Sequence, residues 1–273
     1  MRCIFCKQES SGSKSVEHIV PESLGNKSYV LPAGIVCDKC NQYFALKIEK
    51  ILLEQEFFKN FRHRNKIESK RGRIPKGKVI VPETLYEADV LLTKQQPAIV
   101  LLNSESFELV STGKVDHLII PYVPKPEKNN QHIARFLGKV TLESFAQRLL
   151  VNEEWLEQWI NDNQFDLLRN YVRYNLGVTK WNYNVRQIYA EDEKFFYPDG
   201  SYVDMVFESD FLYTRHGELY FTLALKGYEF TINVGGPNLD GYVDWLKEND
   251  NDSPLYRSKN FAKHVPQPIR MKT

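Results

Sequence analysis

The sequence predicts an α+β protein with a small, zinc-bound N-terminal module and a larger domain of helices and antiparallel strands. All four cysteines lie within the first forty residues, as two pairs with a two-residue gap. Short β-like stretches and then a helical stripe of apolar residues accompany these pairs. Farther along, helical segments precede a run of short strand-like stretches with glycine-containing turns. These observations together predict the fold class.

The two cysteine pairs are Cys3 with Cys6, and Cys37 with Cys40. A two-residue gap lets a tight turn direct both thiolates at one ion, so the two pairs together favour one tetrahedral zinc site. Two disulfides are the alternative, but a chain of 273 residues with no evident signal peptide has little need of such cross-links. We therefore predict one structural zinc and a cytoplasmic protein.

The local pattern around the cysteines favours the order strand, strand, helix. Residues 15–20 and 34–37 have the character of short strands bounded by Gly and Pro turns. After the second cysteine pair, apolar residues recur at helical spacing, namely Phe44, Ile48, Ile51 and Leu52. A module of under about 60 residues buries little apolar surface alone, so zinc should contribute much of its folding free energy.

A glutamate and a histidine, Glu17 and His18, lie between the cysteine pairs and open the run Glu-His-Ile-Val-Pro-Glu-Ser-Leu-Gly. With Cys-x-x-Cys before it and Val-Cys-Asp-Lys-Cys-Asn-Gln-Tyr-Phe after it, this run resembles the HNH endonuclease superfamily. It is most similar to the zinc-framed branch whose motif begins with Glu-His. The resemblance covers about the first 50 residues. It implies a ββα-metal fold and hydrolysis of phosphodiester bonds.

The resemblance also implies roles for individual residues. His18 would be the general base, since a histidine with an ordinary pKa of about 6.5 is neutral often enough near pH 7 to accept a proton from water. Glu17 would bind a catalytic divalent ion that is separate from the zinc. Asn41 stands where the family often has a histidine, and it would be a second ligand of that ion. Oxygen ligands of this kind suit Mg²⁺ or Mn²⁺.

Alternatives remain open at three positions. Asn41 would instead cap the helix, as asparagine is favoured there. Glu49 is a second choice as metal ligand, and its other interpretation is a solvated helix charge. The family's middle asparagine has no counterpart before the second cysteine pair, and the nearest upstream asparagine, Asn26, is interpreted as a loop residue.

Residues 59–78 concentrate positive charge in a chain whose net charge is only +1. Nine of these residues are Lys or Arg, and Glu68 is the one acidic residue among them. Such a stretch neutralises backbone phosphates without reading sequence. A solvated linker is the alternative. The residues expected to contact nucleic acid are Arg62, Arg64, Lys70, Arg71 and Arg73.

The boundaries predicted from these patterns are a zinc-framed nuclease module at residues 1–58, a basic linker at 59–78 and an α+β domain at 79–273. In that domain, strands are expected at 79–81, 85–92, 98–102, 117–121, 185–189, 202–207, 211–214, 218–225 and 229–234, and helices at 133–150, 153–162 and 164–174. No second catalytic signature is evident there. We expect the domain to mediate recognition, to form a homodimer or to bind a regulatory partner.

The functional prediction is a metal-dependent endonuclease that acts on DNA, with RNA as the other substrate class. Restriction and defence against invasive DNA, including antiviral defence, are compatible with it. No apolar run is long enough to span a membrane, so no membrane partner is expected. The alternative is a zinc module that binds nucleic acid or a partner protein without cutting.

Overall fold

The structure is a computed structural model that describes residues 1–196, 199–256 and 269–270. Its strands are β1 (Glu17–His18), β2 (Val30–Leu31), β3 (Gly77–Val81), β4 (Tyr86–Leu91), β5 (Ile99–Leu101), β6 (Tyr183–Gln187), β7 (Phe195–Phe196), β8 (Tyr202–Val203), β9 (Phe207–Tyr213), β10 (Leu219–Leu225), β11 (Tyr228–Asn233) and β12 (Ile269–Arg270). Its helices are α1 (Asp38–Phe44), α2 (Lys50–Leu53), α3 (Glu56–Arg64), α4 (Ser104–Ser111), α5 (Gln131–Leu149), α6 (Glu153–Asn161), α7 (Asp166–Tyr174) and α8 (Asp240–Lys247). A π-helical turn, Ala45–Glu49, joins α1 to α2. The predicted α+β class is confirmed.

The chain divides into two compact units. The first contains Met1–Pro21, Asn26–Ile51 and Lys128–Thr273, and the second contains Glu22–Gly25 and Leu52–Glu127. The unit boundaries differ from the predicted segments, because the N-terminal residues share one unit with the C-terminal half of the chain. The functions predicted for those segments stay predictions.

The core of the first unit is built around α5. From Ile133 to Ser144 every side chain of this helix is buried, including those of Arg135, Lys139 and Glu143. The helix packs against α7, the π-helical turn, β11, α6 and β2. A helix that is buried on all sides can hold polar groups only where they find partners inside the protein.

The main sheet of the first unit is antiparallel, in the order β6-β11-β10-β9. Alternate residues of a strand face opposite sides, so the two central strands present two apolar faces. Phe145 of α5 contacts Phe211 of β9, which is opposite Phe221 of β10. On the other face, Tyr220 packs against Tyr242 of α8. Helices therefore cover both faces of the central strands.

The second unit has its own small core. Its antiparallel sheet has the order β3-β4-β5, and Val79, Ala88 and Val90 form a buried cluster on it. In α3, the apolar residues Phe57, Phe58 and Phe61 are buried. The predicted basic linker therefore begins inside a packed helix and ends within β3, which begins at Gly77.

Two predicted strands are wrong, and the two predicted at 202–207 and 211–214 are instead the two-residue β8 and the longer β9. Residues 34–37 contain only an isolated bridge, Ala33 with Val36, and β1 pairs instead with Val30 and Leu31 of β2. Residues 117–121 contribute a single bridge, Ile119 with Ile80. Both regions lie next to glycine or proline residues that interrupt a strand, and the backbone hydrogen bonds of a two-residue strand leave little trace in a sequence pattern.

The close packing of α5 on α7 predicts the effect of a single added methyl group. A Cβ at Gly138 would lie 2.6 Å from Val172 Cγ2 and 2.9 Å from Leu168 Cδ1. We expect Gly138→Ala to lower the free energy of unfolding by about 1–3 kcal/mol, because overpacking outweighs the gain in helix propensity. Denaturant titration measures this change. The matched control is Gly12→Ala, where a Cβ meets nothing within 4 Å, and an equal loss in both variants would contradict the packing argument.

Candidate active site

The four cysteines converge on one point, and their Sγ atoms all lie within 4.8 Å of one another. The Sγ atoms of Cys6 and Cys37 are 3.7 Å apart. Zinc–sulfur bonds of about 2.3 Å in a tetrahedron put sulfur atoms about 3.8 Å apart, so the thiols are arranged for zinc. All four are free cysteines, and the disulfide alternative is not supported.

Local backbone structure builds this cluster. Cys37 is the N-cap of α1, and its Sγ accepts a hydrogen bond from the backbone N–H of Cys40. The Cys3 Sγ accepts from the backbone N–H of Cys37. Arg173 of α7 donates from Nε to the Cys40 Sγ at 3.1 Å. Such donors stabilise thiolates, which are the form of cysteine that binds a metal.

The closeness of the four thiols shifts the pKa values of Cys6 and Cys40 in opposite directions. Hydrogen bonds from the Cys3 and Cys40 thiols lower the pKa of Cys6 to about 3. The same contacts act in the opposite direction on Cys40, whose pKa is raised by its hydrogen bonds to Cys3 and Cys6 and by burial. The first negative charge in the cluster is therefore favoured and the next is opposed. A divalent cation removes that opposition, which fits the chemistry of a four-thiolate zinc site.

The glutamate and histidine of the motif form β1 and are paired with Leu31 and Val30, respectively. The Glu17 side chain is buried, with 4% of the residue exposed, whereas His18 is half-buried. The loop from β1 to β2 is braced by the buried Asn26. Its Nδ2 donates to the carbonyls of Val20 and Tyr29, and its Oδ1 accepts from the backbone N–H groups of Ser28 and Tyr29. The interpretation of Asn26 as a loop residue is confirmed.

Asn41 lies inside the first turn of α1, close to the start of β1. Its Nδ2 donates to the carbonyl of Val16, the residue before Glu17, at 3.4 Å. The capping alternative for Asn41 is wrong, because Cys37 is the N-cap of this helix. The amide of Asn41 therefore uses its nitrogen on the residue that precedes β1, and its oxygen is the acceptor atom of the group.

A buried lysine from α5 completes this region. The Lys139 ammonium lies 2.7 Å from Glu17 Oε1, 2.9 Å from Glu49 Oε1 and 2.9 Å from Glu143 Oε2. It also donates to the backbone carbonyls of His18 at 3.2 Å and Ile19 at 3.4 Å. We call Lys139, Glu17, Glu49 and Glu143 the lysine cluster. Three carboxylates thus surround one cation.

Burial and charge oppose each other in the lysine cluster. Burial by itself lowers the pKa of Lys139, but attraction to Glu143, Glu17 and Glu49 outweighs it and raises that pKa well above its ordinary value. Burial also raises the pKa of Glu143 far above the usual range, against the attraction of Lys139. Lys139 is therefore charged at neutral pH.

Glu49 is not a solvated helix charge, as one interpretation of the sequence had it. Its side chain is 17% exposed, and its carboxylate forms an ion pair with Lys139. The residue ends the π-helical turn Ala45–Glu49. One extra residue in a helical turn shifts the side chains that follow it around the helix axis, and such turns are often found at functional sites. This turn packs against α5, the helix that carries Lys139.

The donor set in this region fits a hard divalent cation. A carboxylate, Glu17, and an amide, Asn41, are both linked to the start of β1, and oxygen atoms are the ligands that Mg²⁺ and Mn²⁺ prefer. The lysine cluster adds a surplus of negative charge in a low-dielectric environment, which attracts a cation. Glu17 and Asn41 are the residues that would hold such an ion.

Residues 3–57 match the model of the HNH endonuclease family. The N-terminal segment is an HNH-family module. The match contains both cysteine pairs, β1 and the π-helical turn, so the resemblance identified from the motif is confirmed. It spans 55 of the 273 residues and supports a nuclease-like function in general terms. No curated protein and no solved structure matches the chain.

Lys139 and Glu143 lie outside the HNH module, and sequence reasoning did not select them. A signal was present, since a lysine and a glutamate four residues apart lie within the apolar stripe of α5 and are neighbours on one helix face. Charged residues inside such a stripe indicate buried partners. The identity of those partners, on β1 and the π-helical turn, depends on tertiary packing.

The five basic residues expected to contact nucleic acid differ in their surroundings. Arg62 is buried, with 8% exposed, and the Arg64 guanidinium lies over the Tyr122 ring. Lys70, Arg71 and Arg73 are exposed on a turn in which the backbone N–H of Ser69 donates to the Arg73 carbonyl. The Lys70 ammonium is 3.4 Å from the Glu22 carboxylate. We call Lys70, Arg71 and Arg73 the basic turn.

Within the described residues, no helix combines the length and the apolar character needed to cross a membrane.

The zinc site of the HNH module leads to a direct test. Purified protein should contain about one zinc per chain, and Cys37→Ser should lose most of it, since four thiolates close the tetrahedron. The variant should also unfold at a lower temperature, because metal binding contributes to folding. Elemental analysis and thermal unfolding measure both effects. The control is Ser28→Ala, at an exposed position of the same module. Wild-type protein with well under one zinc, or with disulfides by mass spectrometry, would contradict the assignment.

Proposed function

We propose that this protein is a zinc-framed endonuclease that hydrolyses phosphodiester bonds in DNA with the help of a divalent cation. The observation that carries the proposal is the Glu17-His18 pair on β1, between the two zinc-binding cysteine pairs of an HNH-family match. The buried carboxylate and the half-buried imidazole supply the two kinds of group that this hydrolysis requires.

His18 is the general base in this proposal. Its imidazole takes a proton from the attacking water, and half-burial leaves the ring within reach of solvent. Its backbone carbonyl accepts a hydrogen bond from Lys139, and its pairing with Val30 fixes the strand. These contacts fix the stretch of backbone that carries the imidazole.

Glu17 and Asn41 are the proposed ligands of Mg²⁺ or Mn²⁺. A bound cation of this kind would offset negative charge on the scissile phosphate and on the leaving oxygen. The contact of Asn41 with the Val16 carbonyl keeps its amide next to the residue that precedes Glu17. The zinc keeps a separate role, which is to hold the N-terminal turn of Cys3 and Cys6 against the start of α1.

The basic turn is the proposed site of contact with backbone phosphates. Its three exposed cations suit a substrate recognised by charge, whereas the buried Arg62 and the Tyr122-bound Arg64 are less accessible. DNA is the substrate we favour, with restriction or defence against invasive DNA as the role. We expect the enzyme in the cytoplasm, where cysteine thiols stay reduced and able to bind zinc.

A binding protein without nuclease activity is the second candidate function. The four-cysteine site alone supports it, since structural zinc sites stabilise small modules that do no chemistry. The two functions differ in what they require of His18, because a zinc-stabilised binding surface has no need of a general base there.

Metal-dependent cleavage should require His18. We expect His18→Ala to keep its zinc and to lower the cleavage rate by about 100- to 10,000-fold, which is the usual contribution of a general base. Cleavage of plasmid, single-stranded DNA and RNA is measured with Mg²⁺, Mn²⁺ or EDTA.

His117→Ala is the control for this experiment, since His117 is exposed and lies next to Asp116 in the second unit. Equal rates for wild type and His18→Ala would remove His18 from the mechanism. A wild-type protein that binds nucleic acid but cleaves none of these substrates would favour the binding function.

The basic turn should determine the salt dependence of binding. Replacing Lys70, Arg71 and Arg73 with Gln should weaken binding to unrelated duplexes alike. Each lost contact should reduce the slope of log affinity against log salt by about 0.9, because fewer counterions are released. Affinity is measured in EDTA over a range of salt concentrations.

The matched control removes three other exposed cations from the second unit, Lys94, Lys114 and Lys125. This triple variant should keep the wild-type slope. If the slope survives loss of the basic turn, or falls equally in the control, the turn is not the phosphate-binding site.

A further inference from the structure

The lysine cluster brings α5 into the candidate active site from outside the HNH module. Lys139 is 121 residues from His18, yet its ammonium lies 3.2 Å from the His18 carbonyl. The same ammonium contacts the Glu17 carboxylate at 2.7 Å and the Ile19 carbonyl at 3.4 Å. One cation thus contacts three consecutive residues that begin with the two proposed to do the chemistry.

We propose that Lys139 is a positioning residue for cleavage, which holds Glu17 in the orientation that binds the divalent cation and fixes the backbone that carries His18. The inference rests on the proposed function and deepens it. Lys139 has no exposed surface. It therefore cannot touch a substrate, and it acts through Glu17 and His18.

The composition of the lysine cluster supports a role beyond stability. Buried ion pairs of this kind are poor stabilisers, since apolar side chains of similar volume often serve a core equally well. An ammonium has three N–H donors, and here it lies near three carboxylates and two carbonyls. Because these five acceptor groups share one ammonium, Lys139 fixes the positions of several groups at once.

The partners of Lys139 also explain how α5 acts on Glu17. Glu143 lies one helical turn from Lys139, and its Oε2 accepts a hydrogen bond from the ammonium. Glu49 contacts it from the π-helical turn. These two carboxylates and Glu17 share one ammonium, which therefore links Glu17 to α5 and to the π-helical turn. Hydrogen bonds to metal-binding carboxylates commonly set ligand orientation in this manner.

The decisive variant is the charge-matched pair Lys139→Met with Glu143→Leu. Lys139→Met alone leaves three buried carboxylates without a cation, and its loss of activity would be confused with unfolding. The double variant removes one positive and one negative charge and fills the space with apolar side chains. It should retain zinc and cooperative unfolding. We expect its affinity for Mn²⁺ to fall about 10- to 100-fold, as is typical when a contact that supports a metal ligand is lost.

Two readouts separate positioning from structure. Free Mn²⁺ is measured by electron paramagnetic resonance without substrate, and kcat and KM are measured with duplex DNA. The double variant should lose kcat about 10- to 100-fold with little change in KM, because the basic turn is untouched. Arg148→Met is the matched control. Arg148 lies on the same helix but is exposed and pairs with Asp210.

The outcomes distinguish the two proposals. Wild-type protein that neither binds Mn²⁺ nor cleaves overturns the proposed function, and with it this inference. Wild-type protein that does both, beside a folded double variant that does both equally, overturns this inference alone. A double variant that does not fold or loses its zinc would assign Lys139 to folding and would also overturn it.

Discussion

The arrangement of the first unit depends on the burial of one ammonium group. Lys139 is inaccessible to solvent and is held by carboxylates from β1, the π-helical turn and its own helix. Removing a charge from water is costly, so the buried ammonium and the carboxylates around it stabilise one another. Three separate stretches of chain must therefore reach their final positions together. β1 has only two residues. Its position therefore depends on the contacts with Lys139 as well as on its pairing with β2.

The zinc site and the lysine cluster solve the same electrostatic problem with different cations. In each, negative groups are brought so close that their charges oppose one another, and a central cation is needed. Both also receive help from the C-terminal half of the chain. Arg173 donates to the Cys40 sulfur and Lys139 to Glu17, while Arg169 donates to the carbonyl of Ile4, next to Cys3. The HNH module is thus completed by side chains of α5 and α7.

Features determined by local chemistry were predictable from the sequence, and features determined by long-range packing were not. The spacing of the cysteines predicted the zinc site, and apolar periodicity predicted the helices at 131–149 and 153–161 to within two residues. The partner of β1 was misplaced because two-residue strands have no periodicity to detect. The helix α3 begins just before the basic stretch and runs into it, and its charged residues masked three buried phenylalanines. The role of Lys139 was not predicted, because no local sequence pattern connects it with Glu17.

This dependence on distant side chains explains why the compact units cut across the family motif. A module of about 55 residues has too little apolar surface for a core of its own, so metal and neighbouring helices must supply the rest. Here the neighbouring helices supply charged groups as well as apolar ones. Anything that displaced α5 would leave Glu17 buried without its cation, and the carboxylate would then either take up a proton or turn toward water. The packing of α5 and the proposed geometry of Glu17 therefore depend on the same contacts, so a change in one alters the other.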